Sequence, residues 1–313
     1  AQAAAKLSSD AAVIGVVGTY NSSVALQVAP ILERDKIVQI SPANTNDTLT
    51  RGEDFKASPA RPYKNYFRLA TLDSLQGGFA ADYAFKDLGA KSVAIVHDKK
   101  AYGQGLADSF RANFEKAGGK VSTVETINPG DKDFSGVLSK IKPLKPDLIF
   151  YGGEYPEASL ISSQAHGAQA IKAPIMGGDG LVDPTYITTA GAAAENDLAT
   201  SVGAPPDQLE SAKSFIKDYE AAGFKDPFSA YGALAYDAAN IIIRALPAAL
   251  ASAKAVDESV RAKVLDAVGK TTFDGASGAV AFDEFGDTVT RTLTLYKVQN
   301  GAFKPVKVGE FKG

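Results

Sequence analysis

An acidic residue, Asp179, stands among the three glycines of the segment GGDG at 177–180, directly after the apolar run 173–176. A carboxylate taken out of water is costly unless a cation or several hydrogen-bond donors meet it. An acid sheltered at the end of a strand therefore indicates a positively charged or hydrogen-bonding partner. The alternative is an ordinary turn in which Asp179 is solvated.

Short hydrogen-bond donors cluster in two other segments, GTYNSS at 18–23 and SPANTND at 41–47. The first precedes a predicted helix, whose free backbone N–H groups favour an anion. Each residue taken singly is also an ordinary helix cap or turn residue, and capping is the preferred interpretation for any one of them. Two such segments on neighbouring strands favour a carboxylate or phosphate site. The donors are Asn21, Ser22, Ser23, Ser41, Asn44 and Thr45.

Two further residues follow predicted strands, Tyr102 in HDKKAYGQG and Glu154 in GGEYPE. A tyrosine ring there can cover an apolar ligand group while its hydroxyl reaches a polar one, although a half-buried packing role is equally expected. Glu154 either adds a second negative charge to the site or faces water beside the start of a helix, and we favour the water-facing position. Donors for an anion together with an acid for a cation suit an α-amino acid zwitterion.

Catalytic and metal-binding patterns find little support. The chain has no cysteine and only two histidines, His97 and His166, which excludes thiolate chemistry and leaves imidazole metal sites almost nothing to use. Gly103 and Gly105 lack the third glycine of a dinucleotide loop, because Asp108 occupies its place. We therefore expect no enzyme, no cofactor and no metal. An amidase or dehydrogenase stays open as an alternative that turnover of an amide or amino acid would support.

The elements that must position these residues follow a βαβ pattern, in which short apolar runs alternate with amphipathic stretches. Ligands of such open sheets bind beyond the carboxyl ends of the strands, which is where the segments above fall. The C-terminal part alternates apolar and polar residues around QNGA at 299–302, which predicts an antiparallel hairpin. The pattern predicts strands at 13–17, 37–40, 93–96, 121–126, 148–151 and up to 176, and helices at 24–34, 74–88, 103–117, 134–141, 157–168, 207–222, 229–250 and 257–268, with a loop over 41–66.

Length and charge narrow the class of protein. A chain of 313 residues favours two lobes, and a net charge of −3 gives no basic stripe for nucleic acid. The longest apolar helical stretch, 233–250, is interrupted by Asp237, Arg244 and Pro247, so we expect no membrane insertion. The opening AQAAAKLSSDAA resembles the tail of a helix already under way, which suggests a fragment.

The sequence resembles the type I periplasmic binding proteins, and within them the leucine/isoleucine/valine-binding subfamily that serves branched-chain amino acid ABC transporters. The resemblance runs through nearly the whole chain. It implies an α/β fold of two doubly wound parallel-sheet lobes joined by a three-strand hinge, which close over an amino acid. The motifs are IGVVG, ISPANTNDTL, FRLATLDSLQG, AIVHDKKAYGQGLADSF, GDKDFSGVL, DLIFYGGEYPE, IMGGDGL, YGALAYDAA and FDEFGD.

Carried over by position, the resemblance assigns roles to individual residues. The opening lobe holds the α-carboxylate through Asn21, Ala43 and Thr45, with Ser22 and Asn44 beside them. The second lobe supplies Tyr102 and Asp179 for the α-amino group, although relatives often have a glutamate in place of Asp179.

Three departures from the family pattern stand out. Glu154 replaces a tyrosine of leucine-binding relatives, which keeps a polar or cationic ligand open. Tyr20 takes the place of a cysteine, so the disulfide loop is absent. The family's first strand, ligand-contacting loop and helix have no counterpart here, which leaves the N-terminal lobe incomplete as given.

The combined prediction is an extracytoplasmic receptor, periplasmic or lipid-anchored, that captures a branched-chain or other aliphatic amino acid by hinge closure and delivers it to an ABC transporter permease. We expect a monomer. A sensing domain of the same fold for a polar or cationic amino acid, an amide or another small metabolite is the alternative. The expected lobes are 1–72 with 203–279, and 73–202, with a hairpin at 280–313 that crosses the hinge.

Overall fold

Strands and helices alternate along the chain in the computed structural model, which describes residues 1–226, 228–251 and 253–312. The helices are α1 Gln2–Ser9, α2 Ser22–Arg34, α3 Thr48–Arg51, α4 Asp73–Asp82, α5 Ala101–Lys116, α6 Ser135–Ile141, α7 Tyr155–His166, α8 Pro184–Ala190, α9 Lys213–Ala221, α10 Gly232–Leu250 and α11 Glu258–Gly269. The strands are β1 Gly15–Val17, β2 Val38–Ser41, β3 Tyr66–Arg68, β4 Ser92–His97, β5 Lys120–Thr126, β6 Leu148–Gly152, β7 Ile175–Gly177, β8 Leu198–Val202, β9 Thr272–Gly275, β10 Gly278–Ala281, β11 Thr292–Gln299 and β12 Ala302–Glu310.

Internal contacts divide the chain into two compact units. Unit 1 consists of Ala1–Leu72 and Pro205–Arg291, and unit 2 consists of Asp73–Ala204 and Thr292–Gly313. The polypeptide therefore passes from one unit to the other three times, near residues 72, 204 and 291.

Unit 1 contains a parallel three-stranded sheet in the order β1, β2, β3. Every residue of β2 is buried, as expected for the central strand of a parallel sheet covered on both faces. Helices α2, α10 and α11 all pack against β2, and β9 pairs with β10 as a separate antiparallel hairpin. The loops that follow β1 and β2 leave the sheet at the same edge.

Unit 2 is built on a seven-stranded sheet in the order β12, β11, β8, β7, β6, β4, β5. Strands β5, β4, β6, β7 and β8 run parallel, and β11 joins β8 and β12 antiparallel. Two apolar clusters cover the faces of this sheet, one around Phe110 and Phe150 and the other around Tyr151 and Tyr186. The loops after β4, β6 and β7 leave the sheet at its carboxyl edge.

The structure confirms the α/β pattern and the C-terminal hairpin and corrects several elements. Asn300 and Gly301 have φ values of 54° and 70°, the left-handed pair that a two-residue hairpin turn requires. The helix predicted from 207 begins at Lys213, after two 3₁₀ turns, Pro206–Gln208 and Glu210–Ala212. Strands β3 and β8 are absent from the prediction, because each is short and carries buried polar residues.

One helix of the described chain, α10, is long and apolar enough to meet the length and composition of a membrane span. Its buried Asp237 accepts hydrogen bonds from the backbone N–H groups of Ala276 and Ser277, at 2.9 and 2.7 Å. A buried polar side chain satisfied in this way, together with packing on β1 and β2, is what a core helix of unit 1 requires.

Candidate functional site

Asp179 lies at the carboxyl end of β7, where the chain turns into a short 3₁₀ segment, Asp179–Leu181. Its side chain is almost completely withdrawn from solvent, with 3% of the residue exposed. The Tyr102 hydroxyl donates to Oδ1 of Asp179 at 2.8 Å, and the Gln76 amide nitrogen donates to the same oxygen at 3.1 Å. The acid is therefore a sheltered and hydrogen-bonded group, and the solvated turn considered from the sequence is wrong.

Tyr102 reaches Asp179 from the first turn of α5, and it is 9% exposed. Its hydroxyl also accepts a hydrogen bond from the backbone N–H of Gly180 at 2.9 Å. Burial first, and then the negative charge of Asp179, raise the pKa of Tyr102 well above its ordinary value. The phenol consequently stays protonated and remains a donor to the carboxylate at any physiological pH.

The glycines around Asp179 are explained by the close approach of Tyr102. A Cβ on Gly178 would lie 2.6 Å from the Tyr102 oxygen, and a Cβ on Gly180 would lie 3.0 Å from the Tyr102 ring. The Gly180 position would also come within 2.9 Å of the Gly153 carbonyl oxygen, which places the loop after β6 beside the loop after β7. Unit 2 therefore brings Tyr102, Asp179 and the loop of Glu154 to one edge of its sheet.

Glu154 precedes α7 as its N-cap residue, yet its side chain makes no capping hydrogen bond. The side chain is 19% exposed, and its carboxylate lies 3.9 Å from the ammonium of Lys100. The same ammonium lies 3.8 Å from the buried carboxylate of Asp98. Glu154 is therefore only partly solvated, which differs from the water-facing position favoured by the sequence.

A tyrosine that the sequence does not single out, Tyr151, lies on β6 below this loop. It is fully buried, and its hydroxyl has no hydrogen-bond partner among the described residues. Burial raises its pKa far above the ordinary value, and the nearby charges of Asp98, Glu157 and Glu154 act in the same direction. This edge of unit 2 thus places the carboxylates of Asp98, Glu154 and Glu157 near the buried Tyr151.

In unit 1 the loops after β1 and β2 are tied together by Asn44. Its side-chain nitrogen donates to the Tyr20 carbonyl at 2.7 Å, and its side-chain oxygen accepts from the hydroxyls of Tyr66 and Thr19, at 2.9 and 3.2 Å. The Ser41 hydroxyl adds a bond to the Thr19 carbonyl at 2.8 Å. Both donor-rich segments are therefore held in one fixed arrangement.

The remaining predicted donors of unit 1 are used in different ways. Asn21 occupies the N-cap position of α2 without a side-chain cap hydrogen bond, so the simple capping role preferred from the sequence is wrong for it. The Ser22 oxygen accepts a long hydrogen bond of 3.4 Å from the backbone N–H of Asn46. The backbone N–H of Ala43 points to the Ser41 hydroxyl at 3.2 Å.

Thr45 and Tyr20, both predicted site residues of unit 1, are at opposite extremes of solvent exposure. Thr45 is completely buried, and within the described chain its hydroxyl oxygen has no hydrogen-bond partner. Tyr20 is 49% exposed, and its ring meets the ring of Tyr231 edge to face, with 5.4 Å between the centroids. Tyr231 directly precedes α10, and the sequence analysis assigns it no role in the site.

Two supporting residues carry no local sequence signal. Arg68 on β3 is completely buried and donates to the backbone carbonyls of Asn46 and Asn44, at 2.7 and 3.3 Å, on either side of Thr45. Gln76 on α4 contacts Asp179, as described above. Both lie in the one segment FRLATLDSLQG at 67–77, but the residues that they contact are distant in the chain. Among the described residues, no group of three or more histidine, aspartate or glutamate side chains could hold a metal ion.

Comparison with known proteins identifies the family. The sequence pattern of the family described as periplasmic binding protein matches residues 1–302. A Leu/Ile/Val-binding protein homolog of Brucella melitensis is 32% identical over 91% of this chain and 73% of its own. A leucine-, isoleucine-, valine-, threonine-, and alanine-binding protein of Pseudomonas aeruginosa is 32% identical over 90% of this chain and 70% of its own.

Solved structures show the same likeness. A leucine-binding protein, LivK, from Thermotoga maritima has a TM-score of 0.85 at 33% identity, with 98% of this chain and 83% of that chain covered. LivJ from Streptococcus pneumoniae, a branched-chain amino acid transporter substrate-binding protein in complex with isoleucine, has a TM-score of 0.84 at 29% identity, with 99% and 83% covered. The chain therefore belongs to the type I periplasmic binding proteins, in the group of Leu/Ile/Val-binding solute receptors of ABC transporters.

Proposed function

We propose that this receptor recognises the zwitterion of an amino acid, with Asp179 and Tyr102 as the site of the α-ammonium group. The buried Asp179–Tyr102 pair carries the proposal. A carboxylate held by two donors at 2.8 and 3.1 Å in a water-poor place interacts with an ammonium ion far more strongly than an exposed one does.

The α-carboxylate would be bound by the donor-rich segments of unit 1. Thr45 supports this role best, because its buried hydroxyl has no hydrogen-bond partner within the described chain. Buried polar groups are normally satisfied, and such an exception calls for a missing partner. Asn21, Ser22, Ala43 and Asn44 would line the same site, and Tyr20 would contribute its exposed ring.

Capture would proceed by closure of two lobes, for which we propose residues 1–72 with 203–279, and 73–202, the C-terminal segment 280–313 returning across the hinge. A ligand favours the closed state only by the difference between its affinities for the closed and open states. Groups for the two charged ends of one ligand, carried by different lobes, would supply that difference. No bond of the ligand is broken, and the amino acid would pass to a permease partner.

The ligand that we propose is branched-chain or otherwise aliphatic. The names of two relatives support this class, since one is a Leu/Ile/Val-binding protein homolog and the other a leucine-, isoleucine-, valine-, threonine-, and alanine-binding protein. We further propose that the protein works as a monomer outside the cytoplasmic membrane, either free in the periplasm or anchored by lipid.

A cationic or polar amino acid is the second candidate, and Glu154 supports it. One ammonium, that of Lys100, faces both Glu154 and Asp98 at 3.9 and 3.8 Å, so the carboxylates outnumber the cation. A ligand carrying a second positive charge would be attracted to this edge of unit 2. Arginine and lysine binding that is lost in Glu154→Gln, while leucine binding is kept, would establish this alternative.

The main test is isothermal titration of the protein with the twenty amino acids, followed by Asp179→Asn. This variant keeps the shape of the side chain and removes its charge. We expect a loss of affinity of about 100-fold, since a hydrogen bond to a charged group contributes about 1.5–3 kcal/mol and the ion pair adds to it.

Asp183→Asn is the matched control, because Asp183 caps α8 only four residues away and asparagine caps equally well. Its amino acid affinity should equal that of the wild type. Amino acid binding that survives Asp179→Asn undiminished would contradict the proposed role of Asp179.

A further inference from the structure

Gln76 contacts Asp179 through both atoms of its side-chain amide. Its nitrogen donates to Oδ1 of Asp179, and its oxygen accepts the backbone N–H of the same residue, each at 3.1 Å. Two hydrogen bonds from one rigid planar group to the side chain and the backbone of one residue fix the side-chain torsions of that residue. Because Oδ1 is fixed, the plane of the carboxylate and the position of its second oxygen are fixed as well.

This clamp, the pair of hydrogen bonds between the Gln76 amide and Asp179, is itself supported from the neighbouring strand. The Thr200 hydroxyl on β8 lies 3.2 Å from the Gln76 oxygen and 3.4 Å from the Gly177 carbonyl. Gln76 and Thr200 are both completely buried. A Cβ on Gly178 would overlap the Gln76 oxygen, so the glycine before the acid makes room for the amide. The amide orientation is therefore determined by hydrogen bonds with two residues, Asp179 and Thr200.

We propose that Gln76 is a positioning residue, whose amide holds the Asp179 carboxylate in the orientation that meets the ammonium group of the ligand. This inference rests on the proposed function. An aspartate side chain has fewer torsions than a glutamate and a shorter reach, so a small error in its direction cannot be corrected by extension. Removal of the clamp should then weaken recognition of the ammonium group without removing the charge of Asp179.

The experiment measures the preference of the protein for an amine. The two probes are L-leucine and 4-methylpentanoate, which is leucine without its α-amino group, and the preference is the ratio of their dissociation constants. Gln76→Met keeps the length of the side chain and removes both hydrogen bonds. We expect it to lower the preference about tenfold, as the loss of one good hydrogen bond does. Thr200→Val should lower it by a smaller factor.

Gln164→Met provides the matched control. Gln164 is also a glutamine of unit 2 that bonds the backbone through both amide atoms, to Phe134 and Lys132, at 2.7 and 2.8 Å. This variant should lose stability and keep the amine preference of the wild type. A merely structural role of Gln76 predicts the same behaviour for Gln76→Met, and an amine preference within twofold of the wild type would overturn the proposal.

A second measurement needs no ligand. Exchange of the Asp179 backbone N–H with solvent, followed by NMR, should be at least about tenfold faster in Gln76→Met, because its acceptor has been removed. Unchanged exchange would show that the clamp does not hold Asp179. A wild-type protein that binds neither probe would contradict the proposed function, and the exchange rate would then decide on the clamp alone.

Discussion

Replacement of Arg68 by methionine should destabilise unit 1 more than any exposed arginine substitution in this chain. The Arg68 Nε atom lies 2.6 Å from Oδ1 of Asp287, and both side chains are buried. Arg51 contacts the other oxygen of Asp287 at 2.9 Å. Burial acts to raise the pKa of Asp287, but the charge of Arg68 and the hydrogen bonds from Arg68, Thr50 and Arg51 outweigh it and lower the pKa.

The expected magnitude follows from what the variant leaves behind. Breaking a buried ion pair by removal of one partner costs about 3–5 kcal/mol. Arg51 keeps part of the compensation for Asp287, whereas the Asn46 carbonyl loses its donor at 2.7 Å. We therefore expect a loss of about 4 kcal/mol. For domains of about 150–250 residues this corresponds to a fall in Tm of about 8–16 °C.

Calorimetry is the appropriate assay, because the chain contains no tryptophan for fluorescence. The matched control is Arg34→Met, in which an exposed ion pair with Asp35 is removed and little or no loss of stability is expected. An Arg68→Met variant no less stable than Arg34→Met would refute the reasoning.

The pH dependence of stability provides a second test of the Arg68→Met prediction. A carboxylate whose folded pKa is lowered contributes stability above its unfolded pKa of about 3.9, and loses it as the pH falls through the folded pKa. The deficit of Arg68→Met should consequently be largest near neutral pH and shrink in acid.

The remaining predictions concern unit 2. Gly178→Ala should abolish leucine binding and lower Tm, because its methyl group would meet the Gln76 oxygen and lie 2.6 Å from the Tyr102 oxygen. Titration measures the binding and calorimetry the Tm. Leucine affinity equal to that of the wild type would contradict the close packing around Gly178. Burial raises the pKa of Asp197 to about 6, outweighing its hydrogen bonds from Ser162 and other donors, so the folded state binds a proton more readily than the unfolded state. The contribution of Asp197 to the free energy of unfolding should therefore grow as the pH falls from about 6 to about 4. Calorimetry at several pH values should show that Asp197→Asn lacks this increase. An equally large increase in the variant would contradict the prediction.

Sequence reasoning identifies the fold well, because the apolar strands of unit 2 carry a strong pattern. Strand β6, Leu148–Gly152, is buried throughout and reads as a continuous apolar run. Strand β3 is not predicted by the apolar pattern, since its three residues end in Arg68, and an arginine is not expected in a core. The charge of Arg68 is compensated in the core by Asp287, a tertiary partner far along the chain.

The candidate site likewise contains residues that the sequence predicts and contacts that only the fold reveals. Asp179 and Tyr102 are predictable because each follows a strand that the pattern detects, and parallel strands end at a common edge. The contact between them at 2.8 Å joins residues far apart in the chain, so it comes from the fold alone. Gln76 lies inside a helix whose sequence shows nothing unusual, and its role depends wholly on what faces it.

The supporting residues of both units have one property in common, which bears on how tightly a ligand can be held. Arg68 fixes the backbone on either side of Thr45, and Gln76 fixes the carboxylate of Asp179. Groups that are already oriented need not be ordered when a ligand binds, so less of the binding free energy is lost to conformational entropy. The groups that we propose for ligand binding in each unit are thus held in place by buried polar residues before a ligand binds.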